Sequence, residues 1–309
     1  MNSTIIEIAA LKKWFGDTKA VDGITLQISK GEMFGLVGPD GAGKTTTIRT
    51  LCGLMTPTEG TARLFDLDVV TDKRKIQNRV GYLSQKFSLY GDLSIDENIE
   101  FFADVHGVPN YKKRRDLLLE FTRLTPFRDR AAEKLSGGMK QKLALACSLI
   151  HTPEILFLDE PTTGVDPVSR RDFWKILSDL LRQGITILMS TPYLDEAERC
   201  STVALMHLGK IIALGKPKEL KARSGINIVE LTADSLREIR EKIEQQTSYT
   251  VQLFGDRINI VIPRADADEA SFAIKMKELD ISYSSIRIIS PSLENVFIYS
   301  VQQQSGAIK

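Results

Sequence analysis

Gly38-Pro39-Asp40-Gly41-Ala42-Gly43-Lys44-Thr45 lies between the apolar run Met33-Phe34-Gly35-Leu36-Val37 and the segment Thr46-Thr47-Ile48-Arg49-Thr50-Leu51. The run before it predicts a short buried strand, and the segment after it the start of a helix that Gly53 could end. The loop between them fits G-x-x-x-x-G-K-[ST]. Glycines let the backbone wrap so that successive N–H groups point at a phosphate chain, and the helix start adds partial positive charge. Gly38, Pro39, Asp40, Gly41, Ala42, Gly43 and Thr46 then form a phosphate cradle. Lys44 reaches the β- and γ-phosphates, and the Thr45 hydroxyl is placed to ligate Mg²⁺. The competing reading is a glycine-rich turn that binds nothing, and the flanking strand and helix weigh against it.

Ile155-Leu156-Phe157-Leu158-Asp159-Glu160 supplies a second half. An apolar run that ends in adjacent carboxylates is expensive to bury unless the charges meet a cation. Asp159 is expected to hold Mg²⁺, directly or through water, and Glu160 to polarise an attacking water as general base. A lone Asp-Glu pair would read as a polar strand end, but Lys44 and Thr45 require such a partner.

Leu135-Ser136-Gly137-Gly138 precedes a Leu- and Ala-rich helical stretch, Met139 to Leu149. Serine followed by two glycines at a helix start forms a second anion site, too far along the chain to serve the phosphates held by Lys44. It is therefore expected to close over a nucleotide bound by another copy. Taken alone, Ser136 would read as an N-cap with glycines for the turn.

Together these segments resemble the nucleotide-binding domain of ATP-binding cassette (ABC) proteins over roughly residues 4 to 222. The resemblance implies an α/β P-loop NTPase cassette: a RecA-like core, an antiparallel β subdomain, and a helical subdomain at about residues 86–150. It implies ATP and Mg²⁺ as ligands. Phe15 stands where that family stacks an aromatic on adenine, although a plain core aromatic is an alternative. Gln85, after Val80-Gly81-Tyr82-Leu83-Ser84, stands at the Q-loop position, where it would contact Mg²⁺ and the attacking water. Gly164-Val165-Asp166-Pro167 matches the D-loop, whose aspartate Asp166 couples the two sites of a dimer.

One position departs from the pattern. After Ile185-Thr186-Ile187-Leu188-Met189 the family usually carries a histidine that contacts the γ-phosphate, but here the run is Ser190-Thr191-Pro192-Tyr193. Proline has neither a side-chain donor nor a backbone N–H, so at Pro192 that contact is absent or passes to Thr191 or Tyr193. Slow but real hydrolysis is expected, because Glu160, Lys44 and Gln85 remain. His106, His151 and His207 lie elsewhere and read as surface or packing residues.

Composition limits the alternatives. The chain has 309 residues, enough for two cores, and 41 basic against 40 acidic side chains give a net charge of +1, so no electrostatic footprint for nucleic acid is expected. No apolar run is long enough for a membrane span and no leader is expected, so a spanning partner must be another polypeptide. Cys52, Cys147 and Cys200 are scattered without C-x-x-C, which fits a reducing cytosol and argues against zinc or disulfides.

The first domain is expected to cover residues 1–222, with antiparallel strands between Ile5 and Ile28 and helices at Leu93 to Phe102 and Tyr111 to Phe121. Lys86-Phe87-Ser88-Leu89-Tyr90 is the surface where such cassettes receive a coupling helix; those aromatics packing inward is the alternative. Residues 223–309 predict a small α+β domain in the order β-α-β-β-α-β plus a helix, with a hairpin at Gly255-Asp256. Ser290-Pro291-Ser292-Leu293-Glu294-Asn295-Val296-Phe297 looks like the closing motif of drug-exporter and antibiotic-resistance ATPases of the family. The expectation is an ATPase subunit powering export through separate transmembrane permease subunits, paired with a second cassette, cytoplasmic and peripheral on the membrane's inner face. A cassette acting on nucleic acid or ribosomes, and an ATP-gated scaffold with little turnover, are the competing classes.

Overall fold

The computed structural model describes residues 3–86, 89–247, 249–266 and 268–304. The chain divides into two compact units, residues 1–211 and 212–309.

In the first unit, alternation of apolar and polar residues gives two long strands, β1 (Thr4–Phe15) and β2 (Thr18–Ser29), paired antiparallel. The run that precedes the glycine loop is β3 (Met33–Val37), buried at every residue. Helix α1 (Lys44–Leu51) follows the loop directly, starting earlier than Thr46 because Gly43, in the left-handed region, serves as its N-cap. Next come β4 (Glu59–Leu64), β5 (Leu67–Asp68), α2 (Lys73–Gln77) and β6 (Val80–Leu83). The antiparallel sheet has the order β2-β1-β4-β5.

The helical part holds α3 (Ile95–Val105), α4 (Tyr111–Thr122) and α5 (Gly137–Leu149), with two short 3₁₀ turns between the last two. Its entry is fixed by a reciprocal capping box: the Ser94 side chain accepts from Glu97 N while Glu97 accepts from Ser94 N. Asn98, fully buried, accepts from Tyr90 N and donates to the carbonyls of Tyr90, Leu93 and Ser94.

The chain then returns to the core through β7 (Ile155–Asp159), α6 (Pro167–Arg182), β8 (Thr186–Thr191), α7 (Leu194–Ala197), β9 (Thr202–His207) and β10 (Lys210–Gly215). The central sheet has the order β10-β9-β3-β8-β7-β6, and its strands from β9 to β6 run parallel. Ligands of such sheets sit beyond the carboxyl ends of the strands, where the strand order reverses. Here Val37 pairs with Thr191 and Asp159 with Ser190, so the polar ends of two strands, Asp159 of β7 and Ser190-Thr191 of β8, share one edge with the end of β3 that leads into the glycine loop.

The second unit carries α8 (Pro217–Arg223), β11 (Ile226–Thr232), α9 (Leu236–Gln246), β12 (Thr250–Phe254), β13 (Arg257–Pro263), α10 (Glu269–Glu278), β14 (Ser285–Ile289) and α11 (Leu293–Gln304). All pairings in the sheet β12-β13-β11-β14 are antiparallel, with Gly255-Asp256 turning the hairpin as expected. Ile239 and Ile243 of α9 and Phe272 and Met276 of α10 bury against Val229, Leu231, Ile258 and Ile260 of the sheet. The division between units falls ahead of the boundary expected after residue 222. Helix α8 goes with the second unit through a contact distant in sequence: it packs against α11, and both Pro217 and Leu220 are buried.

Candidate functional site

The glycine loop takes a shape that its residue types dictate. Gly43 has φ +100, and a Cβ there would lie 2.3 Å from the Ala20 carbonyl; a Cβ on Gly38 would lie 2.2 Å from the Met206 carbonyl. Neither position admits a side chain. Gly38 N donates to Thr191 O at the end of β8, which anchors the loop to the sheet.

Lys44 folds back into this loop. Its Nζ donates to the carbonyls of Gly38 (2.8 Å) and Pro39 (3.0 Å) and pairs with Glu160 Oε1 at 3.1 Å, with both partners almost fully buried. Glu160 has φ +48, a left-handed conformation rare outside glycine, and its N–H is held by Ser190 Oγ at 2.9 Å. Gln85 Nε2 donates to the other oxygen, Glu160 Oε2, at 3.0 Å. The glycine loop, the segment after β6 and the end of β7 thus converge on one carboxylate.

Asp159 is completely buried, and its partners are hydroxyls: Thr45 Oγ1 at 2.9 Å, Ser190 Oγ at 2.7 Å and Tyr82 OH at 3.4 Å. Burial raises the Tyr82 phenol above its ordinary pKa, so it stays protonated and able to donate. A buried carboxylate supported by neutral hydroxyls, with a threonine oxygen alongside, is a hard-oxygen donor set that suits Mg²⁺. Among the described residues no cluster of three or more His, Cys, Asp or Glu could hold a metal without a ligand's help. Mg²⁺ characteristically completes its shell with substrate phosphate oxygens and water.

These residues open onto a cleft of about 690 Å³ lined by Phe15, by residues 40–46, and by Gln85, Glu160 and Leu208. Phe15 is 49% exposed, so it is not a core aromatic. Ser136, Gly137, Gly138 and Asp166 do not line the cleft. Ser136 caps α5 by accepting from Met139 N, and Asp166 caps α6 by accepting from Val168 N and Ser169 N. Hydrogen bonding from Ser169, side chain and then backbone, holds Asp166 below the usual carboxylate range. A Cβ on Gly138 would lie 2.3 Å from Ser169 Oγ, so glycine is what lets the start of α5 meet the start of α6. The motif expected to close over another copy's nucleotide and the aspartate expected to couple the two sites therefore meet at the starts of α5 and α6, apart from the chain's own cleft.

At Pro192, neither alternative donor reaches the cleft. Thr191 is fully buried; its hydroxyl donates to Glu196 at 2.8 Å and accepts from Tyr193 N at 3.0 Å. The Tyr193 ring lies under the Arg170 guanidinium, 5.1 Å away.

The chain also contains a second groove of about 320 Å³, between β6 and the helices, lined among others by Leu89, Phe102, Cys147, His106 and His151. Leu89 lines it, whereas Tyr90 is 45% exposed with its ring edge-on to Phe101 at 4.5 Å; Phe87 lies outside the described residues. The His106 and His151 rings stack at 3.9 Å. His151 Nε2 is 2.9 Å from Val80 O, and burial, then the neighbouring His106, push its pKa down to about 4.

A family model described as ABC transporter matches residues 21–163. The probable multidrug ABC transporter ATP-binding protein YbhF of Escherichia coli (strain K12) is 44% identical over 223 residues, 72% of this chain. That match spans 39% of YbhF, well under half its length. The daunorubicin resistance ATP-binding protein DrrA3 of Streptomyces coeruleorubidus is 34% identical over 304 residues, 97% of this chain and 96% of that one. The chain belongs to the ABC transporter ATPases. Its cassette also resembles the solved cbiO1 of Clostridium perfringens, part of the ABC transporter complex cbiONQ, with TM-score 0.66 and 27% identity, over 80% of this chain and 96% of that one. No helix among the described residues is long and apolar enough to cross a membrane.

Three polar residues of the cassette escaped the sequence reading. Ser190 bridges Asp159 and the Glu160 N–H, Tyr82 backs Asp159, and Glu196 is buried beside Thr191. In sequence Ser190 is a hydroxyl ending an apolar strand, and only the pairing of β7 with β8 brings it to Asp159.

Proposed function

We propose that the chain binds and hydrolyses ATP and, with separate transmembrane subunits, powers export across a membrane. The observation that carries this reading is the convergence of Lys44 and Gln85 on Glu160, beside the Thr45–Asp159 pair. Phosphate oxygens entering the loop compete for the Lys44 ammonium and release Glu160 from it. Gln85 then keeps the freed carboxylate oriented, and Glu160 takes the proton of the attacking water. The N–H groups of residues 40–46 and the start of α1 neutralise charge on the phosphate chain, and the exposed Phe15 offers a face to the adenine. Mg²⁺, held by Thr45 and Asp159, supplies charge compensation on the phosphate oxygens when bound.

Two copies, or two paired cassettes, sandwich ATP between the glycine loop of one and Ser136, Gly137 and Gly138 of the other. The surface shared by Ser136–Gly138 and Asp166, separate from the chain's own cleft, supports this arrangement. Export rather than import is our reading of the multidrug and daunorubicin-resistance descriptions of YbhF and DrrA3, together with the tail motif around Leu293-Glu294-Asn295-Val296-Phe297. The groove beside Leu89 is the place for a segment of the membrane subunit.

An ATP-gated clamp with little turnover is the second reading, favoured by Pro192 and by a Thr191 hydroxyl already committed to Glu196. Phosphate release from ATP by the purified chain separates the two. A rate at least about 100-fold above that of Glu160→Gln supports hydrolysis with Glu160 as base, and equal rates leave only the clamp.

A further inference from the structure

We infer that Leu208 is a base-gripping residue of the cleft, held against the nucleotide's ring by a turn that the fold pins to the phosphate loop. The inference rests on the ATP-binding reading of that cleft. Strands β9 and β10 are joined by Leu208-Gly209, with φ +47 and +76. A two-residue hairpin with both central residues left-handed is a type I′ turn, which favours Asn, Asp or Gly at its first position. Leucine is strained there, because its Cβ crowds the backbone. Nor does its side chain gain by burial, being 73% exposed.

A scattered exposed leucine is ordinary. Leu208 differs in being fixed in place and in where it faces. Its neighbour Gly209 donates its N–H to Ala42 O of the phosphate loop at 3.1 Å and accepts from Asp22 N of β2 at 2.8 Å. A Cβ on Gly209 would lie 2.9 Å from the Lys19 carbonyl, so the turn is seated closely on the loop's surroundings. Leu208 and Phe15 are the large exposed apolar side chains of a cleft otherwise lined by the phosphate loop and polar groups. Phosphates and ribose have no use for such a surface, whereas the faces of a heteroaromatic base do. Backbone strain that buys no packing within the fold is the kind found at ligand clamps.

The test is Leu208→Asn in the full chain, with ATP and inorganic tripolyphosphate as probes in equilibrium binding. Asparagine tolerates the left-handed region, so the unfolding temperature should hold or rise. Loss of the apolar contact should weaken ATP binding about five-fold and leave tripolyphosphate, which has no base, unchanged. Leu208→Met, which keeps an apolar side chain there, should retain wild-type ATP affinity. Unchanged ATP affinity in Leu208→Asn, or an equal loss for tripolyphosphate, would overturn the inference. Failure of the wild-type chain to bind either probe would overturn the nucleotide reading itself, a separate and recognisable result.

Discussion

At the scale of single residues, Ser190 is the hinge of the site. Its hydroxyl donates to the Asp159 carboxylate and accepts from the strained Glu160 N–H, so one side chain ties one residue's carboxylate to the next residue's backbone. Ser190→Ala takes one hydroxyl from buried Asp159 and leaves the Glu160 N–H only the Ser190 carbonyl at 3.2 Å, so it should lower the unfolding free energy by roughly 1–3 kcal/mol in urea titration, with a parallel fall in phosphate release. An unchanged midpoint would mean that the strand ends are held by the sheet alone. Gly43→Ala tests the loop in the same way. With φ +100 and the Ala20 carbonyl 2.3 Å from the new Cβ, the loop must rearrange, so ATP binding should be lost while α1 persists in circular dichroism. The glycine loop, Lys44, Asp159 and Glu160 were legible in sequence because each is declared by neighbours along the chain. Ser190 was not, because its role exists only through the pairing of Asp159 with Ser190 across two strands far apart in sequence.

At the scale of elements, the helical subdomain is entered through one buried amide. Asn98 makes four hydrogen bonds to the segment from Tyr90 to Ser94, alongside the Ser94–Glu97 capping box. Asn98→Ala orphans several of those backbone groups and should cost about 2–3 kcal/mol, with hydrogen exchange rising first in α3. Equal exchange throughout the chain would place the anchor elsewhere. The capping box itself is local, since serine and glutamate at that spacing act within one turn of helix. The start of α1 at Lys44 was not read, because an N-cap in the left-handed region depends on how Gly43 meets Ala20. The order of the tail's elements matched expectation, since their periodicities are local. The division between units shifted, because it depends on α8 packing against α11.

At the scale of the molecule, two surfaces away from the cleft carry the account. The stacked His106 and His151 rings line the groove proposed for the membrane subunit. His151 titrates at about 4 in the folded chain and near 6.5 when unfolded. Between those values the unfolded state holds more protons, so stability should fall as pH drops from about 6.5 towards 4. Burial lowers His106 as well, which acts in the same direction. Urea midpoints at pH 7 and pH 5 should therefore differ in the wild type and much less in His151→Phe; a slope that survives in the variant would assign it to other groups. The second surface, Ser136–Gly138 with Asp166, defines the central claim that each ATP is held by two copies. The direct measurement uses Glu160→Gln protein carrying Asp40→Cys and Lys134→Cys, both exposed positions, while the native Cys52, Cys147 and Cys200 are buried. With a short bismaleimide, ATP should raise an intersubunit cross-linked product well above the nucleotide-free level, and a yield that ATP leaves unchanged would contradict the shared site.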